Sequence, residues 1–168
     1  APVQVRAGGA LEITQPLDFE QAMIPFMAGM DGGNAGVVLD TSAYTWTFTP
    51  PSSADPAPDT WTVEVVEDDF ANEDESQMLY AFCTEIEVRG GLEQMAEISY
   101  TLVGRDVKPW TKTGALTIPT DINPAANLLW TVAVDGTWAN LGVTAIAAQI
   151  LDFTWRWSGY LFPLYTLD

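Results

Sequence analysis

The chain has 168 residues, of which 48 % are hydrophobic, and it carries 23 acidic against 6 basic side chains, a formal net charge of −17 at pH 7. That hydrophobic fraction is enough for one core, which favours a single domain over residues 1–168 and argues against disorder. Residues 7–88 contain sixteen Asp and Glu but neither Lys nor Arg, which excludes the basic footprint of a nucleic-acid-binding surface from that stretch.

The first predicted element is a short helix at about residues 18–30. Asp18, followed three residues later by Gln21, resembles a capping box. Apolar residues recur at helical spacing: Phe19, Met23, Phe26 and Met30. Pro25 is expected to kink or restart the helix because it has no N–H to donate. The glycine pair 32–33 is predicted to end it.

Strands are predicted for most of the remaining chain. Large aromatic residues alternate with threonine over residues 44–49, the period-two pattern of a half-buried strand, and residues 61–65 repeat this alternation. Residues 50–59 contain four prolines and two serines. They therefore predict a long loop that joins the two strands into a hairpin.

A second hairpin is predicted around the glycine pair 90–91. Over residues 80–88 one apolar face is predicted to consist of Tyr80, Phe82, Ile86 and Val88, and the opposite face of Glu85, Glu87 and Arg89. Over residues 95–103 the even positions are again apolar. The later strands are predicted at residues 115–118, 128–134 and 144–157, the last with Leu151, Phe153, Trp155 and Trp157 on one side. Two apolar faces must bury each other, so the prediction is a mainly β fold, a β-sandwich or barrel with one flanking α-helix.

The densest acidic cluster lies within residues 67–76. It consists of Glu67, Asp68, Asp69, Glu73, Asp74 and Glu75. Calcium takes six to eight oxygen ligands, so such a cluster is a candidate cation site. Its spacing lacks the pattern of a calcium-binding loop, and a solvated loop without metal is the prediction.

Missing residue types exclude several kinds of chemistry. His is absent and Cys83 is the only cysteine, so the chain has no histidine-based nucleophile pair, no histidine metal site and no intrachain disulfide. The sequence contains no Gly-rich phosphate loop, and no apolar run approaches the ~20 residues of a membrane helix. We therefore expect no cofactor, no metal and no membrane association, and we expect Cys83 to be buried.

Tryptophan and glutamate supply the candidates for binding and catalysis. Trp46, Trp61, Trp155 and Trp157 alternate with polar residues and are predicted to lie in the core, whereas Trp110 and Trp138 lie in predicted turns and are candidates for sugar stacking. A glycosidase-like carboxylate pair could be drawn from Glu64, Glu85, Glu87 and Glu97. Acidic residues on polar strand faces usually contact solvent, so no enzymatic activity is predicted.

Four stretches of the chain resemble one protein family. They are Pro16–Glu20 leading into Ile24–Ala28, Tyr44–Pro50, Ile86–Val107 and Leu151–Asp168. In their order and spacing they resemble the tail-tube, or major tail, proteins of bacteriophages with long non-contractile tails. The third stretch carries a Gly-Gly turn, an alternating strand and the ending Gly104-Arg105-Asp106.

The resemblance implies a structural role in the virion tail. Such proteins are similar in fold to the tube proteins of type VI secretion systems, a β-sandwich with a flanking helix. Six subunits would form a ring whose inner strands join into one barrel, and rings would stack into a tube that meets other tail proteins at its ends. DNA would pass through the lumen without specific binding. An extracellular carbohydrate-binding β-sandwich is the alternative.

Specific residues are expected to serve this conduit. From strand alternation, the predicted lumen-lining residues are Glu64, Glu85, Glu87 and Glu97. The loops at 50–59 and 67–76 are predicted to contact neighbouring rings through Asp55, Asp59, Asp68, Asp69 and Asp74. Carboxylates on the wall would repel phosphates, whereas arginines would bind them.

Overall fold

The computed structural model describes residues 8–19, 21–32, 37–40, 43–49, 59–69, 72–91, 94–111, 113–114, 124, 135–137, 140, 143–144 and 152–159. Within these ranges the chain is mainly β, as predicted, with one helix and ten strands. The described strands do not close into a barrel. The predicted strands at 115–118 and 128–134, and residues 50–58 of the predicted loop, lie outside the described residues.

The elements follow one another in a simple order. The first half contains β1 (Gly9–Pro16), α1 (Met23–Gly29), β2 (Asp31–Gly32), β3 (Val37–Asp40), β4 (Ala43–Thr45) and β5 (Phe48–Thr49). The second half contains β6 (Trp61–Asp69), β7 (Asn72–Gly91), β8 (Glu97–Gly104), β9 (Asp106–Pro109) and β10 (Asp152–Ser158).

The central sheet has the antiparallel order β1-β8-β7-β10. Strand β7 is 20 residues long, and its two halves have different partners. Residues 82–91 pair with β8 and β10, whereas residues 72–81 pair with β6 and β9. The predicted pairing of residues 80–88 with 95–103 is therefore confirmed, and β7 joins it to the β6 hairpin.

Two irregularities in β7 change which side chains face the core. Tyr80 has a φ of 53°, where the pairing with β6 shifts register, and the pairing with β8 shifts between Cys83 and Glu85. An extra residue reverses the direction of the side chains that follow. The buried positions accordingly run Met78, Ala81, Cys83, Ile86 and Val88. The prediction that Tyr80, Phe82, Ile86 and Val88 share the core face is wrong for Tyr80, which is 58 % exposed. It is also wrong for Phe82, which lies opposite Val103, on the other side of the strand from the buried Ala81 and Cys83.

Helix α1 packs on the apolar face of the central sheet. Ala28 and Gly29 are buried, and the Trp157 ring lies directly over Gly29. The core is completed by buried side chains from β7 and β8, above all Ile86 and Ile98, which are inaccessible to solvent. Helix, β7 and β10 therefore meet at one point, where little volume remains.

The helix is shorter than the predicted 18–30 because a turn precedes it. The Gln21 N–H donates to Asp18 Oδ1 at 3.1 Å, so Asp18 caps this turn, and α1 itself begins at Met23. Pro25 is the third helical residue, where an N–H would have no intrahelical partner. Pro25 therefore removes no intrahelical hydrogen bond from α1. The helix ends at Gly29, before the glycine pair 32–33.

Two predicted connections are wrong. Residues 44–49 form the ends of two short strands, β4 pairing with β3 and β5 with β2, and β6 pairs with β7. Strands 44–49 and 61–65 thus do not form a hairpin. Residues 67–69 and 72–76 are not a loop but continue the β6–β7 ladder. A short connection between β6 and β7 costs little loop entropy, which favours pairing with the next strand in the chain.

We expect Gly29→Val to destabilise the fold. A Cβ at position 29 would lie 2.8 Å from Trp157 Cζ3 and 3.1 Å from Cys83 Cβ, so the packed ring would have to move. The free energy of unfolding in urea, followed by tryptophan fluorescence, should fall by about 1–3 kcal/mol, the usual cost of overpacking. Gly136→Val is the matched control, because a Cβ at Gly136 contacts nothing within 4 Å. Equal losses for both variants would contradict this packing.

The β6–β7 hairpin places acidic residues opposite each other. Asp68 pairs with Glu73, and Glu67 pairs with Asp74. Like charges at directly opposed positions destabilise a sheet. We expect Glu73→Gln to raise the free energy of unfolding by about 0.2–1 kcal/mol, with a smaller gain at high salt. Glu12→Gln, opposite Thr101, is the control; a loss of stability in the Glu73 variant would refute the repulsion.

Candidate functional site: the polar face of the central sheet

The face of the central sheet opposite helix α1 is polar. Alternate residues of four strands point to this side and line a cleft of about 260 Å³. Its charged residues are Glu12, Glu85, Glu87, Arg89, Glu97 and Arg156. Four carboxylates thus stand against two guanidinium groups. Threonine and serine hydroxyls fill the spaces between them, and Thr14 hydrogen-bonds Ser99 across β1 and β8 at 2.9 Å.

Glu87 lies at the centre of this face, and its side chain is only 7 % exposed. Arg156 of β10 stands directly opposite it in the strand register and donates from Nε to Oε2 at 2.7 Å, with a second hydrogen bond from its terminal nitrogen. Arg89 binds the other carboxylate oxygen, Oε1. Arg156 Nε also lies 3.3 Å from Glu85 Oε1. One buried carboxylate therefore holds two cations and links β7 to β10.

The pKa of Glu87 reflects these contacts. The hydrogen bonds from Arg156 lower the pKa of the carboxyl most, and Arg89 lowers it further, while burial opposes both. The same pairing raises the pKa of the Arg156 guanidinium. Both groups are therefore charged at neutral pH, and both oxygens of Glu87 have cationic partners.

Glu64 lies apart from the other three predicted lumen residues. It is on β6 and accepts hydrogen bonds from the Thr113 N–H at 3.0 Å and the Thr113 hydroxyl at 2.8 Å. These bonds lower the pKa of Glu64, that from the Thr113 N–H most. The structure therefore brings Glu85, Glu87 and Glu97 to one face, and uses Glu64 to hold the chain at Thr113 against β6.

The aspartates predicted to contact neighbouring rings occupy two places. Asp68, Asp69 and Asp74 lie at the far end of the β6–β7 hairpin, and Asp59 precedes β6 and is exposed. Asp55 lies outside the described residues. Within the described part of the chain, no three acidic or cysteine side chains are grouped so as to hold a metal ion.

A second surface, an apolar groove of about 680 Å³, lies beside helix α1. Its aromatic residues are Phe19, Phe26, Tyr44, Trp46, Phe48, Phe153 and Trp155. The centre of the Phe26 ring lies 5.4 Å from the centre of the Phe48 ring and 5.8 Å from that of Trp155. This groove was not expected from the sequence, because its residues come from separate short elements.

The tryptophans are distributed differently from the prediction. Trp46 and Trp155 are 41 % and 40 % exposed at the groove rather than buried in the core. Trp61 and Trp157 pack against the core, as predicted. Trp110 is 45 % exposed, also as predicted. Trp138, the other predicted stacking candidate, lies outside the described residues.

Cys83 is buried, as predicted, on the apolar side of β7. Burial raises the pKa of its thiol to about 12, and the Sγ–H donates to the Glu85 carbonyl at 3.2 Å. A thiol held in its neutral form is a poor nucleophile. Cys83 is therefore part of the packing between β7 and Gly29.

No protein-family model, curated protein or solved structure matched the chain when they were compared with it. No helix in the described part of the chain is long and apolar enough to cross a membrane.

The lowered pKa of Glu87 makes folding depend on pH. The contribution of this carboxylate to stability is complete well above pH 4.5, the ordinary pKa, and is lost as the pH falls below 4.5 through the depressed folded-state pKa. Denaturant titrations at about pH 6 and about pH 3 should therefore show a smaller acid-induced loss in Glu87→Gln than in the wild type. Glu12→Gln, on the same face, should behave as the wild type; equal losses in all three proteins would contradict the role of the pair.

Proposed function

We propose that the chain is a structural subunit of a bacteriophage tail tube. In this proposal six copies form a ring, the rings stack into a tube in the virion tail, and DNA passes through the lumen without a catalytic step. The observation that supports it most is the two-faced central sheet. One face is covered by helix α1, and the other presents a polar surface built from four strands.

The order of the strands suits a ring. Strands β1 and β10 are the outermost described strands of the central sheet. Pairing between such strands of neighbouring copies would satisfy their main-chain groups and extend the sheet around an axis. The polar face would then form the inner wall, lined by Glu85, Glu87 and Glu97. Glu64 is left out of this wall, because it binds Thr113.

The β6–β7 hairpin is the proposed contact with the next ring. Strand β9 pairs with β7 only from Ser76 to Leu79, so residues 67–69 and 72–75 extend beyond that three-stranded region. Asp68, Asp69 and Asp74 lie on this extension. Opposed acidic residues are unfavourable in an isolated hairpin, and a neighbouring subunit with cationic or hydrogen-bond donor groups would offset that repulsion. Asp55 and Asp59 stay candidates for the same role.

The apolar groove gives independent support for self-association. Phe19 and Tyr44 at its rim are 60 % and 58 % exposed. Contiguous apolar surface of this kind on a soluble chain marks an interaction site. The aromatic side chains of the groove also favour the second candidate function, carbohydrate binding. However, Tyr44, Trp46 and Trp155 supply the only polar side-chain atoms among the lining residues, fewer than a sugar with many hydroxyls requires.

Electron microscopy of the purified chain tests the proposal. We expect six-fold rings or tubes, whose fraction rises with protein concentration and with salt, because salt screens the repulsion between chains of charge −17. Chains that stay monomeric over the whole range of concentration and salt would contradict it. Monomers that bind glycans through the groove would establish the carbohydrate-binding alternative.

Substitutions at two exposed positions test whether copies associate through the groove or through another part of the surface. Tyr44→Arg places a charge at the groove, whereas Val143→Arg places the same charge at a residue that is 78 % exposed and outside the groove lining. If copies associate through the groove, the first variant should shift assembly to at least about tenfold higher concentration, which corresponds to about 1.4 kcal/mol. The second should assemble as the wild type.

A further inference from the structure

Each basic side chain that the structure describes has a partner. Arg89 and Arg156 bind Glu87. The Arg105 guanidinium lies 5.9 Å from the centre of the Tyr80 ring, and Lys108 Nζ lies 4.9 Å from the centre of the Trp110 ring. The described cations are thus all held by acidic or aromatic groups of the same chain, although acidic side chains greatly outnumber them.

Arg89 and Arg156, the two arginines of the polar face, are the described cations that a phosphate could bind on that face. Their side chains are 63 % and 59 % exposed, so a phosphate group in solution could reach both. Guanidinium groups bind phosphates with paired hydrogen bonds, more specifically than lysine does. In this structure, however, Glu87 accepts from Nε of Arg89 and from two nitrogens of Arg156, and Glu85 lies beside Arg156.

We propose that Glu87, assisted by Glu85, masks Arg89 and Arg156, so that the polar face does not bind the phosphate backbone of nucleic acid. The inference rests on the proposed function, in which this face lines a DNA conduit. A phosphate that takes the guanidinium N–H groups now bound to Glu87 must displace a carboxylate that is nine-tenths buried and already in place. It must also approach four carboxylates within the same cleft.

The arginines have a structural reason to be present. Arg156 stands opposite Glu87 in the register of β10 and β7. The two residues form a cross-strand ion pair near the middle of β10. A charge pair at directly opposed positions stabilises the pairing of an outer strand. A cation at this place would normally make the face adhesive to DNA. Glu85 and Glu87 contact Arg156, so that it still holds β10 to β7 but does not bind DNA.

The test compares two double variants with the same net charge. Glu85→Gln/Glu87→Gln removes the carboxylates that contact the guanidinium groups. Glu12→Gln/Asp152→Asn removes two carboxylates of the same sheet, one on β1 and one on β10, opposite Thr101 and Gly91. Binding of a short DNA duplex to each purified protein is measured by fluorescence anisotropy at several salt concentrations, and the Arg89 and Arg156 side-chain signals are followed by NMR.

We expect the unmasked variant to bind the duplex about tenfold more tightly than the charge-matched control at low salt. The slope of the logarithm of its binding constant against the logarithm of salt concentration should be steeper by up to about 1.8. The reason is that two new phosphate contacts release about 0.9 counterion each. DNA should shift both arginine signals in this variant and neither signal in the wild type or control. Equal affinities in the two double variants would overturn the proposal.

A milder variant covers the case in which the double variant does not fold. Glu85→Gln keeps Glu87 and exposes only one side of Arg156. It should bind more tightly than Glu12→Gln and shift the Arg156 signal alone; no difference would likewise overturn the masking. Because the measurement uses the unassembled chain, it is independent of ring formation. If the variants differ in DNA binding as expected but electron microscopy shows no rings, only the proposed conduit is refuted. If rings form but the variants bind DNA equally, only the masking of the arginines is refuted.

Discussion

The pairing of strand β7 is the constraint on which the rest of the structure depends. Four described strands hydrogen-bond to it: β6 and β9 along its first half, β8 and β10 along its second. Most of the buried core side chains belong to β7 or to β8, its direct neighbour. Helix α1 is held by the same strand, because Gly29 fits between Cys83 and Trp157. Any change in the register of β7 would therefore disturb both sheet faces together.

The two irregularities in β7 explain how one strand serves two regions. Each inserts one residue that has no counterpart in the register of the facing strand, so the side chains before and after it alternate out of step. Ala81 and Cys83 can thus be buried on the same strand as Ile86 and Val88. Tyr80, at the first irregularity, adopts a left-handed backbone conformation, which is costly for a non-glycine residue and is held by pairing on both sides.

The polar face combines an acidic composition with a local balance of charge. Sixteen acidic residues and no basic residue in 7–88 suggest a surface that repels phosphates everywhere. The fold brings Arg89 and Arg156, which lie beyond this stretch, into contact with Glu87, which lies within it. In the proposed conduit, the pairing of each guanidinium with a carboxylate would therefore oppose DNA adhesion, in addition to the excess of negative charge.

The sequence alone partly determined which segments form strands and which of their side chains face the core. Period-two alternation is a local property, so it correctly predicted β8, the facing of β7 from Glu85 to Arg89, and the common face of Phe153 and Trp157. It also placed Glu85, Glu87 and Glu97 on the polar side. Strand β1 has the same alternation from Leu11 to Gln15, between the glycine pair 8–9 and Pro16, yet it was not predicted although its sequence carries the signal. The short helix was predicted in place but not in length, since the Asp18 cap belongs to a preceding turn.

Pairing partners and the grouping of the charges were decided only by the tertiary structure. Alternation does not say which strand lies beside which, so residues 44–49 were wrongly paired with 61–65. It also assumes an unbroken ladder, and the irregularities in β7 break it. Glu64 alternates as Glu85 does, yet it binds Thr113, 49 residues away. Arg156 and Glu87 are 69 residues apart. Contacts over such separations arise from sheet register, which depends on many cooperating residues and has no local signature in the chain.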